Sequence, residues 1–124
     1  MAHYRNLAAW QRCHQLVIEV YRATERFPAH ERYGLTSQAR RAAFSAAANL
    51  VEGCARRGSA EFRRYVDIAL GSLAELSYTL LVARDLGLLS EAEYAGLEQT
   101  RKRSGFLTWR LGRALSKKRG AAGK

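Results

Sequence analysis

Glu52 sits in the run ANLVEGCARR, residues 48–57, after small apolar residues and before a glycine, a cysteine and two arginines. A carboxylate there can act as a general base, a metal ligand or a packing element, and each role needs different neighbours. Nothing nearby supplies a second reacting group, so a catalytic role is not expected. Cys13 and His14 are adjacent, and adjacent helical positions point about 100° apart, which does not suit one metal ion. The chain has no GxxxxGK, GxGxxG, HExxH or GxSxG, and no histidine stands three residues after a glutamate, as a di-iron bundle requires. His14 is expected at the edge of the core; His3 and His30 fall in an end and a loop, where no role is assigned. These absences predict no enzyme, no catalytic residue, no metal site, no cofactor and no small-molecule substrate.

A different chemistry is spelled out further on. Lys102, Arg103, Phe106, Trp109, Arg110, Arg113 and Lys117 fall together when residues are placed at helical intervals, and Lys118 and Arg119 follow. The cations can hold phosphates while Trp109 and Phe106 stack bases. The same surface suits an oligomer contact with Trp109 as the buried anchor and the arginines at its rim. The two uses are compatible, because a ring of subunits can bury the aromatics and leave the cations lining a shared surface. Charge is correspondingly lopsided: residues 101–124 hold nine of the 21 Lys and Arg and none of the 11 acids, so nearly all of the +10 lies in the last fifth of the chain. Such a field favours nucleic acid or an acidic protein surface, although a solvated basic tail that aids solubility accounts for the same charge.

Helices must position these residues. Leu7, Trp10, Cys13, Val17, Val20, Thr24 and Phe27 recur at spacings of three and four, which predicts a first helix ending before Pro28. A second is predicted over residues 35–57, with Gly58 as the left-handed residue after its end and Ser59 capping the next helix. The third carries Phe62, Tyr65, Val66, Ala69, Leu73, Leu76, Leu80 and Ala83 on one side and closes at Gly87, where Leu88 folds back. Ser90 and Glu93 have the spacing of a capping box, so a fourth helix starts there, with Leu97, Leu107, Leu111 and Leu115 as its inner face, and frays before RGAAGK. No β-alternation competes. Short connections make sequential helices antiparallel, giving an all-α, up-down-up-down four-helix bundle: a single domain over residues 1–118 and a flexible basic tail over 119–124.

The start of the chain has no h-region of a secretory signal, and no stretch reaches the roughly 18 apolar residues of a membrane span. A cytoplasmic protein without a membrane partner is therefore expected. Cys13 and Cys54, lacking CxxC spacing, are expected as buried thiols.

The second helix is unusual, because Ala39, Ala42, Ala43, Phe44, Ala46, Ala47, Ala48, Leu50, Val51, Cys54 and Ala55 circle almost its whole circumference. A helix apolar all round calls for burial all round. One surface packs inside its own bundle, while the arc bearing Phe44 and Val51 faces water unless another subunit covers it. Self-association follows. Arg41, Ser45, Ala48 and Glu52 share one side, with Arg56 placed for an i,i+4 pair to Glu52, so Glu52 reads as a register-setting charge at a crowded seam. Glu75 is a candidate partner for Arg40 or Arg41.

Taken together, YRNLAAWQRCHQLVIEVYRATERFP, ERYGLTSQARRAAFSAAANLVEGCARR and EFRRYVDIALGSLAELSYTLLVARDLGLL resemble the four-helix-bundle proteins first noticed as open reading frames in intervening sequences of bacterial large-subunit ribosomal RNA. The resemblance spans residues 4–89 and rests on RYGLTSQ, ANLVEG and SLAEL. It implies a homopentameric barrel of four-helix subunits. It also implies kinship with the accessory variability determinant of diversity-generating retroelements, whose basic ring is implicated in binding nucleic acid and a reverse transcriptase. Where such proteins often carry a SIPANIAEG-like run, this chain has FSAAANLVEG, which keeps Asn49, Glu52 and Gly53 in place. What carries over is structural, at Arg40, Arg41, Asn49, Glu52, Gly53 and Glu75. The expected function is a non-enzymatic, oligomeric accessory protein that binds RNA or DNA without strong sequence specificity. The alternative is a scaffold that docks an acidic or nucleoprotein partner, such as a reverse transcriptase or a ribosomal component.

Overall fold

The computed structural model describes residues 3–122, with side chains through residue 118. Four α-helices make up the described chain: α1 (Ala8–Thr24), α2 (Leu35–Cys54), α3 (Ser59–Asp85) and α4 (Glu91–Ala122), with 3-10 turns at Tyr4–Asn6 and Ala29–Glu31. No strand occurs among the described residues. α1 packs on α2, α2 on α3, α3 on α4, and α4 back on α1, so the helices enclose one core. Leu16, Val20, Leu50, Val66, Leu73, Leu76 and Leu80 fill it and are essentially inaccessible. By length and composition α3 would pass as a membrane span, with a mean hydropathy of 1.5 over its most apolar 18 residues. That differs from the expectation that no stretch is apolar enough. The apolar side of α3 is instead the core itself, where Val66, Ala69, Leu73, Leu76, Leu80 and Ala83 are buried.

Local chemistry sets the helix ends. Gly58 (φ 82°) and Gly87 (φ 78°) occupy the left-handed region, where a side chain is strained. After Gly87 the Leu88 N–H donates to the Ala83 carbonyl at 2.8 Å, so the chain folds back as its spacing predicts. The capping box forms as well: Glu93 N–H donates to Ser90 Oγ at 3.0 Å and Ser90 N–H donates to Glu93 Oε1 at 2.8 Å. The backbone bond from Ser90, with help from Arg26, holds the Glu93 carboxyl below its ordinary range. Ser59 does not cap α3. Gly58 holds the N-cap position and Ser59 is already the first helical residue, with no side-chain bond at the cap. α2 ends at Cys54 rather than residue 57, and α4 runs through Ala122 instead of fraying at residue 119. No proline interrupts that last stretch, and Ala121 and Ala122 favour the helix.

α2 and α3 approach closely because of Gly53. A Cβ built there would lie 2.8 Å from the Tyr65 Cβ and 2.8 Å from the Phe62 Cδ1. The Tyr65 Cβ is bonded to backbone, so relief requires α3 itself to shift. Gly53→Val is therefore expected to lower the unfolding free energy by about 2–3 kcal/mol, read as a lower urea midpoint at unchanged slope; an unmoved midpoint would refute this account of the contact.

Candidate nucleic-acid interface

The outward row of α4 is built as its spacing predicts. Lys102, Arg103, Phe106, Trp109, Arg110, Arg113, Lys117 and Lys118 are all exposed, while the side chain of Arg119 lies outside the described residues. Phe106 and Trp109 stack with centroids 6.1 Å apart, and they keep 46% and 48% of their surface in solvent. The Arg103 and Arg110 guanidinium carbons stand 5.9 and 5.8 Å from the Phe106 ring centre, and that of Arg113 stands 5.4 Å from the Trp109 ring. These distances lie toward the outer reach of cation–π attraction. The guanidinium donors therefore stay available to a ligand.

No ion pair within the described residues neutralises the row. Outside α4, the described arginines that pair with acids are Arg26 with Glu93, Arg56 with Glu52, Arg63 with Asp67, Arg64 with Glu61, and Arg84 with Asp85 and Glu91. Within α4 the last acid of the chain, Glu98, is buried. It accepts from Ser77 Oγ at 2.9 Å and from Arg101, which absorbs its charge inside the α3–α4 seam. Six cations over residues 102–118 are exposed without an ion pair to the described residues; Lys102, Arg103, Arg110, Arg113 and Lys117 share the outward face, while Lys118 borders Leu111 and Leu115.

The inner face of α4 differs from the expected leucine stripe. Leu97 and Leu115 are buried, but Leu107 and Leu111 are only half-buried, and Ser104, Thr108 and Gly112 take the central positions. Each hydroxyl is satisfied within the helix, Ser104 Oγ donating to the Thr100 carbonyl and Thr108 Oγ1 to the Ser104 carbonyl. Small residues let neighbours come close. A Cβ on Gly112 would meet Val66 Cγ1 at 3.2 Å, and Arg63 of α3 donates to the Gly112 carbonyl at 2.8 Å. Cys13 of α1 lies 3.8 Å from Thr108 Oγ1; burial pushes its thiol from 9.0 to about 11, against the opposing hydrogen bonds of Thr108 and Ser104. Cys54 is also buried.

The candidate seam residues separate. Phe44 is 59% exposed on α2, and Val51 is half-buried. Glu52 pairs with Arg56, as the spacing predicts, but both are about half exposed. Arg40 turns away from Glu75: its Nε donates to Thr24 Oγ1 at 2.8 Å, its Nη2 to the Tyr21 carbonyl, and its guanidinium lies 4.6 Å from the Tyr21 ring, clamping α1 to α2. Arg41 and Glu75 line one depression with Ser45 and Ser72, and no ion pair joins them. Asn49 donates to the Ser45 carbonyl, and Ser45 reaches Ser72 across the α2–α3 contact at 2.8 Å. His14 is exposed rather than at the core edge, its ring stacked on Trp10 at 4.9 Å. Sequence reasoning missed Glu31, whose carboxylate accepts from the Leu35 N–H at 3.1 Å and caps α2 from four residues upstream. It also missed the serine and threonine inside α4.

These features define an all-α, four-helix protein whose last helix displays cations and aromatics that its own acids leave unneutralised. The family model described as 23S rRNA-intervening sequence protein matches residues 5–106, and the chain belongs to that family. No curated protein matches the chain. The family match ends at Phe106, so Trp109, Arg110, Arg113, Lys117 and Lys118 lie beyond it.

Proposed function

We propose that this protein is a non-enzymatic, oligomeric accessory protein of the cytoplasm that binds RNA or DNA through the outward row of α4, without strong sequence specificity. The observation that carries this reading is the row of five exposed cations, Lys102, Arg103, Arg110, Arg113 and Lys117, flanking Phe106 and Trp109 with no carboxylate of its own face to offset them. Phosphates supply the missing negative charge, and base faces suit the two rings. The family's name, which refers to an intervening sequence of 23S rRNA, makes RNA the first ligand to test. An up-down-up-down antiparallel bundle is supported by the Arg26–Glu93 pair, which ties the end of α1 to the start of α4. Assembly into a ring, a pentamer by the sequence resemblance, would cover Phe44 and set several α4 rows side by side.

The half-exposed Trp109 also favours a second reading, in which the row anchors an acidic or nucleoprotein partner, such as the reverse transcriptase that the sequence resemblance to retroelement accessory proteins implies. Salt separates the two in part. If four phosphates of a single strand are neutralised, affinity should fall about 50-fold between about 50 and 200 mM salt. Titration of the purified protein with a random oligonucleotide at several salt concentrations, followed by light scattering, reports this slope together with the stoichiometry. A flat salt response, or no binding alongside a protein pull-down that survives nuclease, favours the scaffold.

A further inference from the structure

The α4 row meets a second wall at its N-terminal end. A groove of about 640 Å³ runs between α1 and α4, lined by Arg12 and Gln15 on one side and by Gln99, Lys102, Arg103 and Phe106 on the other. That volume is in the range of small-ligand sites. Both walls carry cations and no carboxylate lines the groove. The acid nearest in sequence on α1, Glu19, is engaged by Gln15 Nε2 at 2.7 Å, and Gln15 Oε1 accepts from Arg12 Nη1 at 2.8 Å. The Gln99 side chain is exposed and makes no hydrogen bond with the described residues, so its amide offers both a donor and an acceptor. Phe106 lines the groove and is nearly half exposed.

Resting on the nucleic-acid reading above, we infer that this groove seats one unpaired nucleotide, so that the protein takes single-stranded nucleic acid in preference to duplex. A seated base needs a bare ring face for Phe106 and an open edge for Gln99, and pairing and stacking hide both in a duplex. Phosphates on either side of that base fall to Arg12 and to Lys102 and Arg103. From Lys102 to Lys117 the helix rises about 22 Å, so the strand continues over Arg110, Arg113 and Lys117. Arg12 and Gln15 thereby join the site from a helix outside the α4 row.

Fluorescence anisotropy of the full-length protein tests this, using a labelled unstructured oligonucleotide of about 15 nucleotides and its duplex at one salt concentration. The single strand is expected to bind about tenfold more tightly. Phe106→Ala and Arg12→Ala, each with unchanged circular dichroism, should weaken single-strand binding about three- to tenfold and leave duplex binding within about twofold. Equal affinities for the two forms, a duplex preference, or a loss shared equally by both forms overturns the groove assignment while leaving the α4 row as a general phosphate surface. Failure of either form to bind removes the nucleic-acid reading and the groove with it.

Discussion

Replacing Arg110 and Arg113 together by glutamate is expected to lower nucleic-acid affinity by at least about 100-fold at moderate salt, while helical circular dichroism stays unchanged. Both side chains are exposed. Their contacts are with the faces of Phe106 and Trp109, and neither forms an ion pair or hydrogen bond with the described residues. The fold therefore has little to lose. The ligand has much to lose, since two phosphate contacts disappear and two carboxylates take their place, worth about 2.7 kcal/mol or more at a 100-fold change. Retained binding with an intact assembly would remove the proposed role of the row. If the assembly dissociates instead, Trp109 and its arginines belong to a subunit contact.

Phe44→Asp is expected to convert the assembled protein to monomer at micromolar concentration, as seen by light scattering. An aromatic ring left 59% exposed in the middle of α2 is the most prominent apolar group that the bundle leaves outside its core on that helix. Burying it against another subunit contributes about 2 kcal/mol per ring. A carboxylate there would have to be desolvated without a partner, which costs several kcal/mol more. Because the position faces solvent within one subunit, the variant should keep its helicity, while its urea midpoint falls by the stability that assembly no longer supplies. A wild-type protein that is already monomeric would dispose of the assembly reading.

The fold was legible where apolar spacing and turn chemistry agree. The stripe from Cys13 to Thr24, the left-handed glycines at 58 and 87 and the Ser90–Glu93 capping box each have a local cause that a sequence displays. The interior of α4 was not legible. Ser104, Thr108 and Gly112 do not register as core residues, because their burial depends on how closely α1 and α3 approach and not on their own hydrophobicity. Arg40 misled for a similar reason. Its charge suggests an acidic partner, but its donors found a hydroxyl, a carbonyl and a ring on α1. The outward row of α4 was readable from helical geometry, and residues 99–124 contain no Asp or Glu. The groove beside it was not, because it takes residues from both α1 and α4, which only folding brings together.

That juxtaposition bears on synthesis. Apart from the meeting of α1 with α4, each major helix packing joins neighbours in the chain, so three of the four interhelical contacts can form as the polypeptide emerges. Closing the first helix onto the last spans the largest loop and comes at the end. A nascent chain that has extruded only its first three helices has Arg12 and Gln15 but no opposing wall, so the groove proposed to seat a nucleotide exists only once α4 has packed on α1.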